Sequence, residues 1–258
     1  MSQAKKKKGP ATDLRDDVRQ AIDRLWPDGL VQIGFDSDES YFWDVHLNLA
    51  AAFHRIKGAR LVRELEPDGG PVWCDHSDPE EDPPDGEDRS RSYYLFFVCP
   101  DGEAFTYETE IESLGELDEE DEGEHEWLEE TVTGTGRTGW SVAVSLLAPF
   151  AVVTLSDWEI YDDGSTSDPS IECPGFTPMG ERIDLEAEFR NSKGEKAFAT
   201  LLKLRERICA ILDKQGIGVL PQEEWRKPVP GLRAEEDILI GMEGEPIRVL
   251  DAFFFEAL

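Results

Sequence analysis

The strongest constraint on the fold is a pair of β-patterned segments on either side of residue 100. Tyr93–Cys99 is an uninterrupted apolar run, and the Pro100-Asp101-Gly102 that follows it is typical of a turn. From Ala104 to Ile111 the residues alternate, with Phe, Tyr, Thr and Ile on one side and Thr and Glu on the other. Because successive side chains of a strand point to opposite faces, this pattern predicts a β-hairpin with one buried face.

Residues 140–161 are the second strand-rich part of the sequence. Valine, leucine and isoleucine are frequent there, and Pro149 interrupts the stretch. Since proline has no backbone N–H to donate, the stretch should form two strands, or one bulged strand, rather than one continuous central strand. Strands that are neighbours in sequence usually pair. We therefore expect a single sheet built from residues 93–111 and 140–161.

Three segments carry apolar residues at helical spacing and predict the main helices. They are residues 12–26, in which Thr12 is a suitable N-cap, residues 42–56 and residues 193–215. Residues 162–182 are rich in Ser, Pro, Gly and Asp and predict a long loop, whereas Ile238–Ile240 and Ile247–Val249 predict a small hairpin. The apolar C-terminus, Ala252–Leu258, should pack onto the core.

Together these elements predict an α+β fold, with a mixed, largely antiparallel sheet, about three main helices packed on it and long acidic loops. A chain of 258 residues can form one large domain or two small ones. We expect residues 1–11 to be a basic disordered tail and residues 12–258 to form a single α+β domain. A subdivision near residues 115–139 stays open, because that segment is low in sequence complexity.

The chain is strongly acidic, with 57 Asp and Glu against 26 Lys and Arg and a formal net charge of −31. More than half of the excess lies in residues 78–88 and 116–130, which contain no Lys or Arg. A field of this sign repels phosphate backbones and anionic lipids, and it attracts basic protein surfaces. The sequence therefore predicts a basic protein partner and no direct binding to nucleic acid or membrane.

The cysteines and histidines do not form a recognisable catalytic or metal-binding pattern. The four cysteines stand far apart, which favours free thiols in a reducing compartment, and we expect a cytoplasmic protein. His46 and His54 are eight residues apart on one predicted helix, which is not the i, i+4 spacing of a helical zinc site. We therefore predict no catalytic residue, no cofactor and no metal site.

Two short segments have a superficial likeness to catalytic motifs. Cys74-Asp75-His76 places a thiol and an imidazole on the same side of a predicted strand end, but the nearby acids raise a thiol pKa and disfavour the reactive thiolate. Thr133–Gly139 lacks the lysine of a phosphate-binding loop and is not followed by a predicted helix. We interpret the first as a strand end that enters an acidic loop and the second as a flexible loop.

One acidic segment also carries an aromatic residue and is the predicted partner-binding site. Its residues are Asp118, Glu119, Glu120, Asp121, Glu122, Glu124, Glu126 and Trp127. Acidic segments of this composition dock onto basic, partly apolar surfaces. We therefore expect a non-enzymatic interaction protein with a basic macromolecular partner, a functional class that includes inhibitors, immunity proteins and antitoxins. The alternatives are a hydrolase whose carboxylate-based active site has no linear motif, and a structural subunit of a larger assembly.

Overall fold

In the computed structural model, the described residues are 13–32, 39–65, 90–114, 129–162, 164, 166–167, 185–234, 238–239 and 246–257. The helices within them are α1 (Asp16–Leu25), α2 (Glu39–His54), α3 (Leu185–Lys193), α4 (Glu195–Lys214), α5 (Gln222–Trp225) and α6 (Val249–Phe253). The strands are β1 (Leu30–Val31), β2 (Ala59–Leu65), β3 (Ser90–Arg91), β4 (Tyr93–Pro100), β5 (Thr106–Leu114), β6 (Glu129–Ser145), β7 (Phe150–Tyr161), β8 (Thr166–Ser167), β9 (Gly218–Val219), β10 (Arg233–Ala234), β11 (Ile238–Leu239) and β12 (Glu256–Ala257). Several sequence predictions lie outside the described residues, namely the tail 1–11, Thr12, Cys74-Asp75-His76, the acidic segment 78–88 and the partner-binding residues between 118 and 127.

The fold is organised around two long antiparallel strands, β6 and β7. They pair from Gly134 and Tyr161 at one end to Val144 and Ala151 at the other, and Pro149 lies in the turn between them. The opposite edge of β6 pairs with β4 and β5, and β2 continues the sheet beyond β4. β8 and β9 pair with β7, and β9 is parallel to it. The sheet is mixed and largely antiparallel, and the predicted α+β class is confirmed.

The predicted hairpin of residues 93–111 is wrong. β4 and β5 lie end to end along β6, separated by a short 3₁₀ helix at Glu103–Phe105. Both strands are antiparallel to β6, so they run in the same direction, which a hairpin does not allow. The 17 residues of β6 are long enough to pair with both. Every residue of β4 is buried, because apolar clusters form on both faces of the sheet there.

The predicted flexible loop at Thr133–Gly139 is also wrong, because these residues form the middle of β6. Glycines in this strand face aromatic rings on its neighbours. A Cβ atom at Gly136 would collide with the ring of Tyr107, and one at Gly134 would lie 2.8 Å from Cδ1 of Tyr161. The glycines therefore make room for the two tyrosine rings while the backbone stays extended.

Helices and apolar side chains cover the two faces of the sheet. On one face, which we call the α4 face, α2, α3 and α4 pack on the sheet, and Trp140 Nε1 donates to the carbonyl oxygen of Leu201 at 2.8 Å. On the other, the α1 face, α1, α5 and α6 pack on the sheet, and the rings of Phe253 and Phe150 are 5.1 Å apart between centroids. The residues buried under these helices on the α1 face come from β4 and from the adjoining ends of β6 and β7.

The helices differ from the sequence prediction in number and in one boundary. The predicted third helix, residues 193–215, is α4, and the sequence prediction missed the preceding helix α3. Gly194 lies between α3 and α4, and its φ of +84° interrupts the helical backbone. The described residues therefore contain four main helices, α1 to α4, rather than three. α1 begins at Asp16, and the main-chain N–H of the preceding Arg15 donates to the carboxylate of Glu224 at 2.8 Å.

The C-terminal part of the chain is packed into the α1 face, which confirms the prediction that it docks on the core. Phe253, Phe254 and Phe255 are all buried. The predicted hairpin of Ile238–Ile240 with Ile247–Val249 is wrong, because β11 pairs with β12 and Val249 begins α6. The strand that pairs with Ile238–Leu239 is therefore β12 and not residues 247–249, to which the local apolar pattern assigned that position.

Candidate functional site

One part of the α1 face is exposed to solvent and forms a candidate interaction surface. It is built from the side chains that β5, the first half of β6 and the second half of β7 direct to the same side. We call it the open face, and its residues are Thr106, Glu108, Glu110, Thr133, Thr135, Arg137, Trp158, Ile160 and Asp162. The strand register aligns them in rows, one of which consists of Glu108, Thr135 and Ile160.

The open face presents apolar side chains on β7 and acidic side chains on β5 and at the end of β7. Ile160 is 41% exposed, and Trp158, on the same side of β7, is almost fully buried. Glu108 and Glu110 on β5 are exposed, as is Asp162 immediately after β7. An exposed aliphatic side chain on the same face as exposed acids suits a partner surface that is basic and partly apolar.

The open face ends where the predicted partner-binding segment begins. Leu114 at the end of β5 and Glu129 at the start of β6 are register partners. Residues 115–128 therefore connect two points that lie side by side at the tip of the β5–β6 pair. The predicted residues between Asp118 and Trp127 belong to this connection and lie outside the described residues, so their role in binding stays a prediction.

On the opposite side of the same strands, two tyrosines share one carboxylate. Tyr107 Oη donates to Glu159 Oε1 at 3.0 Å, and Tyr161 Oη donates to Glu159 Oε2 at 2.6 Å. Burial raises the pKa of Tyr107 far above its usual range, and the negative charges of Asp157 and Glu159 raise it further. Tyr107 therefore remains a hydrogen-bond donor at neutral pH. The shared carboxylate ties β5 to β7 across the glycines of β6.

Asp157 is the second carboxyl group on this side. It accepts a hydrogen bond from Thr138 Oγ1 at 2.6 Å. Burial raises the pKa of Asp157, the charges of Glu159 and Glu188 act in the same direction, and the hydrogen bond from Thr138 opposes them. A carboxyl group with a raised pKa beside a second carboxylate is one requirement of the hydrolase alternative. Both carboxyl groups accept hydrogen bonds from side chains of the protein itself, and the hydrolase stays a prediction.

A cleft of about 710 Å³ adjoins the open face at the gap between β4 and β5. Its charged and hydroxyl-bearing lining includes Arg60, Glu103, Thr106, Glu108, Thr135 and Arg137. Arg60 forms an ion pair with Asp101, in which Nη2 and Oδ1 are 2.7 Å apart. Arg137 is half-buried and interacts with the sulfur of Cys99.

The Cys99 thiol does not neutralise Arg137. Burial raises the pKa of this thiol, while the nearby charges of Arg137 and Arg60 lower it only in part. A thiol with a raised pKa is uncharged at neutral pH. The guanidinium of Arg137 therefore lies against a neutral group at the margin of the cleft.

The described histidines are His46 and His54, and the described cysteines are Cys99 and Cys209. His46 is buried and stacks on Tyr94 with 4.1 Å between ring centroids, whereas His54 is exposed. Cys99 and Cys209 are free thiols, and burial raises the pKa of both. Within the described residues, no group of three or more His, Cys, Asp or Glu side chains is arranged to hold a metal ion.

Sequence reasoning missed the candidate interaction surface for identifiable reasons. The alternation in β5 does place Glu108 and Glu110 on one side, but it does not show that this side is exposed. The alternation of Gly with Thr and Arg in Thr133–Gly139 is a period-two signal, and it is the one feature that identifies Arg137 as a strand residue. Nothing local marks Ile160, since its exposure depends on which part of the sheet the helices cover.

Comparison with known proteins does not assign the chain to a family. No family model matches it, and neither a curated protein nor a solved structure is significantly similar to it. Within the described part of the chain, none of the helices is long and apolar enough to span a membrane. The function must therefore be inferred from the chemistry of the open face and of the cleft beside it.

Proposed function

We propose that the protein is a non-enzymatic interaction protein that binds a basic macromolecular partner through the open face. The observation that carries this proposal is the exposure of Ile160 on β7, in a sheet face that also presents the exposed acids Glu108, Glu110 and Asp162. An aliphatic anchor supplies affinity, and the exposed acids on the same face select the sign of the partner's charge.

The rigidity of the open face supports this role. Its residues belong to three strands that pair continuously from Thr106 on β5 to Tyr161 on β7. The tyrosine–Glu159 hydrogen bonds on the opposite side fix the same three strands. A surface that is already ordered before binding loses little conformational entropy when a partner docks.

The distribution of charge supports it as well. The described residues contain 27 of the 57 acidic residues and 20 of the 26 basic ones, which leaves them a formal charge of only −7. Most of the negative charge therefore belongs to the remaining segments, and one of these, 115–128, starts and ends at the tip of the open face. A basic partner that approaches the acidic segment is brought to the exposed Ile160.

The direct test is an NMR titration of the isotope-labelled protein with a 12-residue peptide of Lys, Arg and Leu, blocked at both ends. We expect the backbone amide shifts to concentrate in residues 106–110, 133–137 and 158–162. A matched peptide with Gln in place of Lys and Arg should bind at least tenfold more weakly, since several charge pairs worth about 0.2–1 kcal/mol each are lost.

Two pairs of variants control for general effects of charge and hydrophobicity. The triple change E108Q/E110Q/D162N should weaken binding about tenfold, whereas D23N/E206Q/D213N removes the same charge from exposed positions on α1 and α4 and should leave it unchanged. Ile160→Ser should weaken binding, and Leu202→Ser, at a side chain that is 40% exposed on α4, should not. Equal effects of the two members of either pair would contradict a defined docking surface.

A further inference from the structure

The cleft beside the open face contains a half-buried arginine, Arg137. Among the residues that the structure describes, Arg137 makes no ion pair with a carboxylate, and its recorded contact is the neutral Cys99 thiol. Arg60 is paired with Asp101 and Arg248 with Asp251, whereas the half-buried Arg205 lies over the Trp140 ring, with 5.6 Å between Cζ and the ring centroid.

A half-buried guanidinium in this position favours the binding of an anion. Removing a cation from water costs free energy that a paired anion returns, so an unpaired half-buried arginine gains by binding one. Guanidinium groups hold carboxylates and phosphates through two parallel hydrogen bonds. The cleft, of about 710 Å³, is shallow and open to solvent, so a bound ligand would keep part of its surface in contact with water.

The acidic side chains that line the cleft limit the classes of ligand that can bind there. Glu103 and Glu108 are exposed and line the same cleft as Arg137. Their negative charges repel a doubly charged phosphate, and they attract a cationic group placed next to a singly charged anion. The hydroxyl groups of Thr106 and Thr135 offer further donors and acceptors for such a ligand.

We propose that the cleft binds a carboxylate that has a cationic group a few ångströms away, with the carboxylate on Arg137 and the cation near Glu103 and Glu108. Two classes of molecule present this chemistry, namely a polypeptide that ends in Lys or Arg and a free amino acid, whose α-ammonium group lies next to its carboxylate. The cleft adjoins the open face, since Glu108, Thr135 and Arg137 belong to both. The polypeptide form of this proposal rests on the proposed function, because the C-terminus that enters the cleft would belong to the basic partner.

The experiment uses the full chain and a set of small probes. The main probe is an N-acetylated four-residue peptide that ends in lysine with a free carboxylate, and the matched probe is the same peptide with a C-terminal amide. Binding is followed by the shift of the Arg137 side-chain Nε–H signal in NMR spectra and by calorimetry. We expect the free carboxylate to bind at least tenfold more tightly than the amide.

Further probes separate the two sources of the ligand. Free lysine tests the amino acid, and a peptide that ends in alanine tests the need for the cation. Binding of free lysine as tight as that of the peptide assigns the cleft to the amino acid, and tighter binding of the peptide assigns it to a polypeptide end. Inorganic phosphate should bind more weakly than either.

Variants of the cleft test the assigned roles. Arg137→Gln should abolish the difference between carboxylate and amide, whereas Lys203→Gln, an equal loss of charge at an exposed position on α4, should preserve it. The double change E103Q/E108Q should remove the preference for lysine over alanine and keep the requirement for the carboxylate. Circular dichroism and thermal unfolding establish that each variant is folded.

Several results would overturn the proposal. These are equal binding of acid and amide, tighter binding of phosphate than of the lysine peptide, and an Arg137→Gln protein that still distinguishes acid from amide. The blocked 12-residue peptide that tests the open face has no free carboxylate. Its binding is therefore independent of Arg137 as an anion site, and a failure of the cleft can be distinguished from a failure of the proposed function.

Discussion

At the scale of single residues, Gly136 has no room for a side chain. A Cβ atom there would collide with the Tyr107 ring, whose hydroxyl group is held by Glu159. Gly136→Ala should therefore lower the free energy of unfolding by about 1–3 kcal/mol, as overpacked sites do. Gly218→Ala is the control, because its Cβ would have its nearest contact at 3.6 Å, an ordinary distance. Chemical denaturation measures both, and equal stabilities of the two variants would contradict the close packing of the ring.

The raised pKa of Asp157 predicts how the stability of the folded protein depends on pH. Its pKa is raised above the ordinary value of 3.8, so the folded protein holds this proton more tightly than the unfolded chain. The stability that this proton contributes is complete below the ordinary pKa and is lost as the pH rises through the folded-state pKa. Asn carries no charge at any pH and its amide oxygen can still accept the hydrogen bond from Thr138.

The free energy of unfolding of Asp157→Asn should consequently equal that of the wild type near pH 3. At pH 7 it should be higher than that of the wild type by about 1 kcal/mol. The measurement is the unfolding free energy of both proteins across this pH range. Asp213→Asn, at an exposed position on α4, controls for the general loss of one negative charge. A variant that is less stable than the wild type at pH 7 would show that the ionised carboxylate of Asp157 contributes to the fold.

At the scale of elements, the C-terminal helix α6 and the residues after it complete the core of the α1 face. Phe253 is fully buried against Phe150, and the hydroxyl groups of Ser92 and Ser145 donate to its carbonyl oxygen at 3.2 and 2.9 Å. Phe253→Ala should lower the free energy of unfolding by about 3–5 kcal/mol. Leu202→Ala, at a side chain that is 40% exposed, should cost far less. Thermal unfolding compares them, and a mild effect of Phe253→Ala would mean that the C-terminus contributes little to the core.

The elements also show what local sequence patterns can and cannot establish. The apolar run of Tyr93–Cys99 identifies a strand, and its complete burial follows from the absence of polar residues. The pattern contains no information on which strand it pairs with, and the 3₁₀ helix at Glu103–Phe105 keeps the chain on the same edge of β6 instead of reversing it. The alternation of residues in β5 places its acids on one side of the strand. It does not show which strands pair with β5 or which part of the sheet the helices cover, so the open face could not be predicted.

At the scale of the whole molecule, charge and shape are divided between different parts of the chain. The described residues carry a formal charge of −7 and supply the open face, while the rest of the chain carries most of the −31. Charges outside the contact surface act over a Debye length of about 8 Å at physiological ionic strength, and they change mainly the rate of association. Contacts at the centre of an interface change mainly the rate of dissociation.

This division predicts that two kinds of variant alter different rate constants for the blocked basic peptide. Replacing the acids between 116 and 126 by amides should lower the association rate and flatten its dependence on salt, with little effect on dissociation. Ile160→Ser should raise the dissociation rate and leave the salt dependence of association as it is. Stopped-flow measurements between about 0.05 and 0.5 M salt separate the two effects, since screening removes most of the long-range attraction at the upper limit.

The variant Trp127→Ala tests whether the apolar anchor of the interface is Ile160 on the open face or Trp127 in the acidic segment. If the anchor is Ile160 on the open face, Trp127→Ala should have a smaller effect on the dissociation rate than Ile160→Ser. A larger effect of Trp127→Ala would move the anchor into the acidic segment, as the composition of that segment first indicated. Association and dissociation rates that are unchanged in the amide variant would mean that the acids of 116–126 take no part in binding. The open face would then have to recruit its partner through Glu108, Glu110 and Asp162 alone.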